Sequence, residues 1–162
     1  MYAEASGDAP TQQMGVFQQH KKEETMFDLN LTDDQIALRD TARKFAREEI
    51  VPKAGELDHK GEFAMDLCKK AFEVGLMNVE VPEEYGGLGL GVFNQVIIQE
   101  ELAYGCTGVT TVLCANGLGV TPLIIAGTKE QCQKFLTPLT RELMFCAYAT
   151  TEPGAGSDVG GI

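Results

Sequence analysis

The stretch LTDDQIALRDTARKFAREEIVP, residues 31–52, decides how the chain begins to fold. Thr32 and Gln35 have the Thr-x-x-Gln spacing of a capping box, in which each side chain satisfies a backbone N–H that the helix start leaves free. Asp33 and Asp34 add negative charge at the positive end of the helix dipole. Leu38, Ala42, Phe45 and Ile50 then recur at near-helical spacing on one face. Arg39, Arg43, Lys44 and Arg47 lie mostly around the other side and read as a solvated face. Pro52 is expected to end or kink this helix near Ile50.

Further helices follow towards the carboxyl end. A second is expected over 63–74, with Leu67, Cys68, Ala71 and Phe72 as its apolar stripe and Gly75 at the C′ position. A short apolar connector, 76–81, leads into PEEYGGLGLG, residues 82–91. Four glycines in its last six positions predict a loop whose backbone comes close to a neighbour. The loop lacks Gly-Lys-Ser/Thr and a βαβ setting, so it is neither a phosphate loop nor a dinucleotide fingerprint. Tyr85 within it reads as a loop anchor before a ligand contact. A third helix is expected over 92–104, with Phe93, Val96, Ile97 and Ala103 buried. A fourth starts near Thr107 and holds Val109, Val112, Leu113 and Leu118, and a short helical stretch follows Pro122. Thr128 and Gln131 form a second capping box, opening a helix that reaches about Leu136.

The 162 residues carry a formal charge of −11, which argues against nucleic acid as a partner, since phosphate contacts need clustered Lys and Arg. His20 and His59 are far apart and do not make a metal site. The five cysteines are odd in number and include no C-x-x-C, so a disulfide framework is not expected. No unbroken apolar run approaches the ~18 residues of a membrane span. Residues 1–26 are polar and aperiodic, have no Arg and carry Glu4, Asp8, Glu23 and Glu24. They read as a flexible leader and not as a mitochondrial transit peptide.

Residues 144–149, MFCAYA, change the pattern. This apolar, aromatic run reads as a buried strand. A lone strand cannot satisfy its own backbone, so the sequence reads as one that stops just as a β region begins, with residues beyond about 142 poorly ordered in isolation. The fold class expected is therefore all-α. The domains expected are the leader 1–26, a helical domain over 27–140, and the start of a β domain over 141–162.

After this run comes TEPGAGSD, Thr151 to Asp158, which closely resembles a signature of the acyl-CoA dehydrogenases. ARKFAREEI (42–50), VPEEYGGLGLG (81–91) and EELAYGCTGV (100–109) resemble the medium-chain members in the same order. The resemblance spans nearly all of 27–162 and implies the amino-terminal helical bundle of that fold, ending at the first strand of its middle β domain. It implies FAD as cofactor, acyl-CoA as substrate, proton abstraction by a glutamate with hydride transfer to the flavin, and a trans-2-enoyl-CoA product of fatty acid β-oxidation. It also implies electron-transferring flavoprotein as electron acceptor, a homotetramer and the mitochondrial matrix.

Carried over position by position, the flavin-binding segment is Tyr148, Ala149, Thr150, Thr151, Glu152, Pro153, Gly154, Ala155, Gly156 and Ser157. Gly154 and Gly156 suit a close approach of backbone N–H groups to an oxygen-rich ligand, and Thr151 and Ser157 add hydroxyls. Ser157 is also implied at the acyl-CoA. Helices three and four are implied as the wall of the acyl pocket. There Thr110 and Cys114 stand where the medium-chain pattern carries Gln and Glu, which leaves chain length open. No catalytic residue and no metal ligand is assigned: the family's catalytic glutamate has no counterpart here, and adjacent Glu100 and Glu101 do not face each other on a helix. The alternative is a non-catalytic helical partner of full-length subunits.

Overall fold

In the computed structural model residues 30–162 are described; the leader expected over 1–26 lies outside them. Both capping boxes form. Thr32 Oγ1 accepts from the Gln35 amide at 3.3 Å and the Thr32 amide donates to Gln35 Oε1 at 3.0 Å. Helix α1 (Asp33–Phe45) starts there. It does not end at Pro52. It widens into a π turn (Ala46–Ile50) and runs on as α2 (Val51–Lys60). Pro52 has no N–H to give and its ring crowds the preceding turn, so the widened turn just before it lets the helix continue.

Gly61, at φ +64°, closes α2, and α3 (Met65–Glu73) ends on Gly75 at φ +72°. The Leu76 amide donates to the Ala71 carbonyl and the Gly75 amide to that of Phe72, the paired bonds of a Schellman cap. The connector 76–81 is buried almost throughout. The glycine loop after it, with a 3-10 turn (Glu83–Tyr85), folds back on this connector. Gly89 and Leu90 donate to the carbonyls of Val81 and Val79. A Cβ on Gly87 would stand 2.0 Å from the Val81 carbonyl oxygen. The close backbone neighbour expected of this loop is thus the chain itself. Tyr85 is half-buried against Val81, Val120 and Cys132, and its carbonyl accepts from Thr140 Oγ1 at 3.1 Å, so it anchors the loop.

Helices α4 (Val92–Gly105), α5 (Thr107–Cys114), α6 (Asn116–Ala126) and α7 (Lys129–Arg141) complete the bundle. α4 lies alongside α1: Gln35 Nε2 donates to Asn94 Oδ1, and the Arg43 guanidinium grips both oxygens of Glu101. Arg43 is therefore a cross-helix tie and not part of a solvated face. Gly105 lets α4 close on the π turn, where an added Cβ would sit 3.1 Å from Ile50 and 3.3 Å from Ala46. One core cluster joins Phe45, Ile50, Leu67, Ile98, Leu102 and Leu113, and a smaller one joins Val81, Val120, Leu136 and Leu139. On α4, Ile97 is buried as expected, but Phe93 and Val96 are 58% and 51% exposed, because Ile98 and Leu102 turn to the core instead. Leu118 on α6 is exposed as well.

No β-strand forms among the described residues, which corrects the strand expected over 144–149. That run takes no regular secondary structure and has no neighbouring strand to pair with, and Met144 and Phe145 stay exposed. Residues Thr107–Ala126 make a stretch apolar enough, by length and composition, to cross a membrane. The sequence expectation counted only unbroken apolar residues and missed it. Helices of protein cores pass the same test, and Val109, Thr110, Leu113, Asn116 and Val120 turn into the bundle.

Two glycine substitutions separate the roles of glycine in this fold. Gly55→Ala, in the middle of α2 with nothing within 4 Å of the new Cβ, is expected to raise stability by about 0.5–1 kcal/mol. Gly87→Ala is expected to lower the thermal midpoint sharply, because backbone must move to admit the methyl group. Thermal unfolding of the two variants beside the parent checks both signs.

Candidate flavin-facing segment and its support

The run after α7 is held mainly at Asn116. Asn116, the first residue of α6, is 1% exposed. Its Nδ2 donates to the Met144 carbonyl and to Asn78 Oδ1, each at 2.9 Å, and its Oδ1 accepts from the Cys146 amide at 2.9 Å. Asn78 Nδ2 in turn donates to the Leu139 carbonyl at 2.8 Å. Asn116 thus supplies the partners that a neighbouring strand would give to Met144 and Cys146. Asn78 reaches its place from φ +56°, a left-handed conformation that Asn tolerates better than most residues. Beside this relay, the Phe145 ring meets Phe63 edge to face, with centroids 5.6 Å apart.

Residues 148–157 continue outward from the clamp. Tyr148 is 54% exposed, and Thr151 and Gly154 are exposed too. Glu152 and Ala155 exchange both backbone bonds, at 2.9 and 3.1 Å, around Pro153 and Gly154. Only Ala155 in this segment is buried. A Cβ on Gly154 or Gly156 would meet nothing within 4 Å, so the face above them is open. The hydroxyls of Tyr148, Thr151 and Ser157 make no hydrogen bond with other described residues. The structure gathers the segment into one exposed turn carrying free hydroxyls and accessible backbone, a donor set that fits an anionic, oxygen-rich cofactor.

The two pocket candidates fall differently. Thr110 is buried, and its hydroxyl donates to the Cys106 carbonyl at 3.0 Å, so it is already satisfied. Cys114 lines a recess of about 30 Å³ with Glu80, Asn78, Gln95, Gln99 and Asn116, room for a water molecule. Burial, with the Glu80 charge adding to it, pushes the Cys114 thiol up to about 11, so it stays a neutral thiol at neutral pH. Cys146 is shifted upward for the same two reasons, burial first. Glu80 itself is half-buried, and burial raises its carboxyl above the ordinary 4.5. Glu101 is tied to Arg43 and Glu49 to Lys70, so neither is a free base. A wider groove of about 390 Å³ between Leu57, Phe63, Val109 and Val112 has few polar groups converging on it.

Glu80 is the site residue that sequence reasoning missed. Its signal was a single carboxylate inside the otherwise mostly apolar connector 76–81. Among the described residues no group of His, Cys, Asp and Glu could hold a metal ion.

Comparison with known proteins shows the family of the helical domain. Residues 32–142 match the family described as acyl-CoA dehydrogenase, N-terminal domain. The chain is 43% identical over 136 residues, 84% of its length and 33% of the relative's, to a probable medium-chain specific acyl-CoA dehydrogenase 2, mitochondrial, of Caenorhabditis briggsae. Its fold matches butyryl-CoA dehydrogenase from Megasphaera elsdenii with a TM-score of 0.75 and 34% identity, covering 83% of this chain and 36% of that one. It also matches an acyl-CoA dehydrogenase complexed with FAD from Bacillus anthracis, with a TM-score of 0.72 and 33% identity, over 82% of this chain and 23% of that one. The chain spans about a third or less of the length of these relatives.

Two outcomes follow for this site. Asn116→Ala orphans the Asn78 amide oxygen, the Met144 carbonyl and the Cys146 amide, and is expected to cost about 3 kcal/mol; hydrogen exchange at Cys146 should accelerate with it. Glu80→Gln is expected to stabilise the fold at neutral pH. The folded carboxyl has a raised pKa, so its penalty is absent below the unfolded value of 4.5 and grows as pH rises through the folded one. Denaturant unfolding across pH should show the two proteins converging in acid and diverging towards neutrality.

Proposed function

As a reading of a chain that belongs to the acyl-CoA dehydrogenase family, we propose that it is the amino-terminal helical part of a medium-chain-type enzyme that converts a fatty acyl-CoA to the trans-2-enoyl-CoA in fatty acid β-oxidation. The observation that carries this reading is the exposed turn at 148–157, held at the end of the family's helical domain by Asn116. FAD, when bound, supplies the hydride acceptor. Thr151 and Ser157 present hydroxyls towards it, and Gly154 and Gly156 leave room for its oxygen atoms. Ser157 also faces the acyl-CoA, and α4 and α5 wall the acyl tail, with Thr110 and Cys114 towards its floor.

The domain division is the leader 1–26, the helical domain 27–140, and the start of a β domain over 141–162. No carboxylate of this chain is assigned the role of catalytic base. Glu101 and Glu49 are ion-paired, and Glu80 lies in the small recess, away from the exposed turn's open face. The same reading makes electron-transferring flavoprotein the electron acceptor, four copies the assembly and the mitochondrial matrix the compartment. The mitochondrial name of the Caenorhabditis briggsae relative supports the last of these.

A second reading rests on the exposed Val92, Phe93 and Val96 of α4. Such a face suits a helical partner that docks on full-length subunits without catalysis. The isolated 162-residue chain is expected to show no dehydrogenase turnover and weak or absent FAD binding. Turnover of an acyl-CoA by this chain alone would overturn the assignment of the base outside it. Stable co-purification with full-length subunits would favour the second reading.

A further inference from the structure

We infer that Glu80 is a specificity-determining residue that sets how deep an acyl tail can reach. This rests on the acyl-CoA dehydrogenase reading above. The recess behind Cys114 is small, about 30 Å³, and mixed in character. Leu76, Val79, Ile98 and Leu113 give it apolar walls, while Glu80, with amides around it, gives it a polar end. The Glu80 carboxyl lies close enough to Cys114 and Cys146 for its charge to act on both thiols. It also stands at the start of α6, with Oε1 3.1 Å from where a Gly117 Cβ would lie.

A tail whose terminal methyl reaches Cys114 would next displace water from Glu80. Taking an ionised carboxylate out of water without a new partner is costly. Among the described residues Glu80 forms no ion pair that would offset that cost; Arg43 pairs with Glu101 and Lys70 with Glu49. The groups that face it across the recess are Asn78, Gln95, Gln99, Cys114 and Asn116, all uncharged. Glu80 therefore acts as a charged stop. Tails that end short of Cys114 do not meet it, and longer ones are rejected more strongly once it is ionised.

The test uses the intact holoenzyme with a ladder of saturated acyl-CoA substrates, measuring kcat/KM for each chain length at a series of pH values from acid to alkaline. For the parent, the ratio of longer to shorter substrates should fall as pH rises. In Glu80→Gln, which keeps the shape and removes the charge, the ratio at neutral pH should rise about tenfold, the scale of one methylene's discrimination in a pocket, and lose its pH dependence. Glu80→Ala, which also removes bulk, should extend the accepted length further. Thermal unfolding of both variants guards against misfolding as the cause. An unchanged chain-length ratio in two folded, active variants would overturn this inference and leave the enzyme reading intact. A parent holoenzyme that turns over no acyl-CoA would overturn both.

Discussion

The amide of Asn116 is the point on which the structure turns. It is buried, it opens α6, and its side chain bonds to the connector through Asn78 and to the segment after α7 at Met144 and Cys146. Asn78 carries the link on to the end of α7 through Leu139. Three stretches of the chain that are distant in sequence, around residues 78, 116 and 139–146, meet in one fully satisfied polar relay. Relays of this kind specify a single arrangement, because a half-satisfied version is worse than an apolar core. An aliphatic residue of similar size would pack here but could not hold that segment in register.

Around that relay the bundle is built by backbone accommodation as much as by side-chain burial. The π turn at 46–50 carries α1 past Pro52, and Gly105 brings α4 onto that turn. The glycine loop folds over Val81 because Gly87 has no Cβ to strike its carbonyl. These contacts fix α4 against α1, with Arg43 and Glu101 setting the register. They also place α5 and the connector on either side of the recess that Glu80 and Cys114 share. The exposed turn and the recess thus depend on the same short connector.

Much of this was legible in the sequence where a local rule decides the outcome. Both capping boxes and the C′ glycine at 75 follow from one or two residues acting on their own backbone. Pro52 was expected to end or kink the helix near Ile50; it does not end it, and the irregularity takes the form of a π turn at 46–50, where Ala46 and Ile50 pack against Gly105. The run at 144–149 has the composition of a strand, but a strand is defined by its partner, and the partner here is a single asparagine. Phe93 and Val96 read as core from periodicity alone, whereas the neighbours of α4 take up the Ile98 and Leu102 side instead. The family signature at 151–158 was plain from its residues, while Glu80 was not, because only the fold brings it to Cys114.

The most direct test of the central claim is the visible flavin absorption of the intact protein, recorded anaerobically before and after an acyl-CoA is added. The account predicts a flavin band in the purified full-length enzyme, of which this chain is the amino-terminal part, that bleaches on mixing with a saturated acyl-CoA. A full-length enzyme that carries no flavin, or whose flavin band is unchanged by any acyl-CoA, would contradict it.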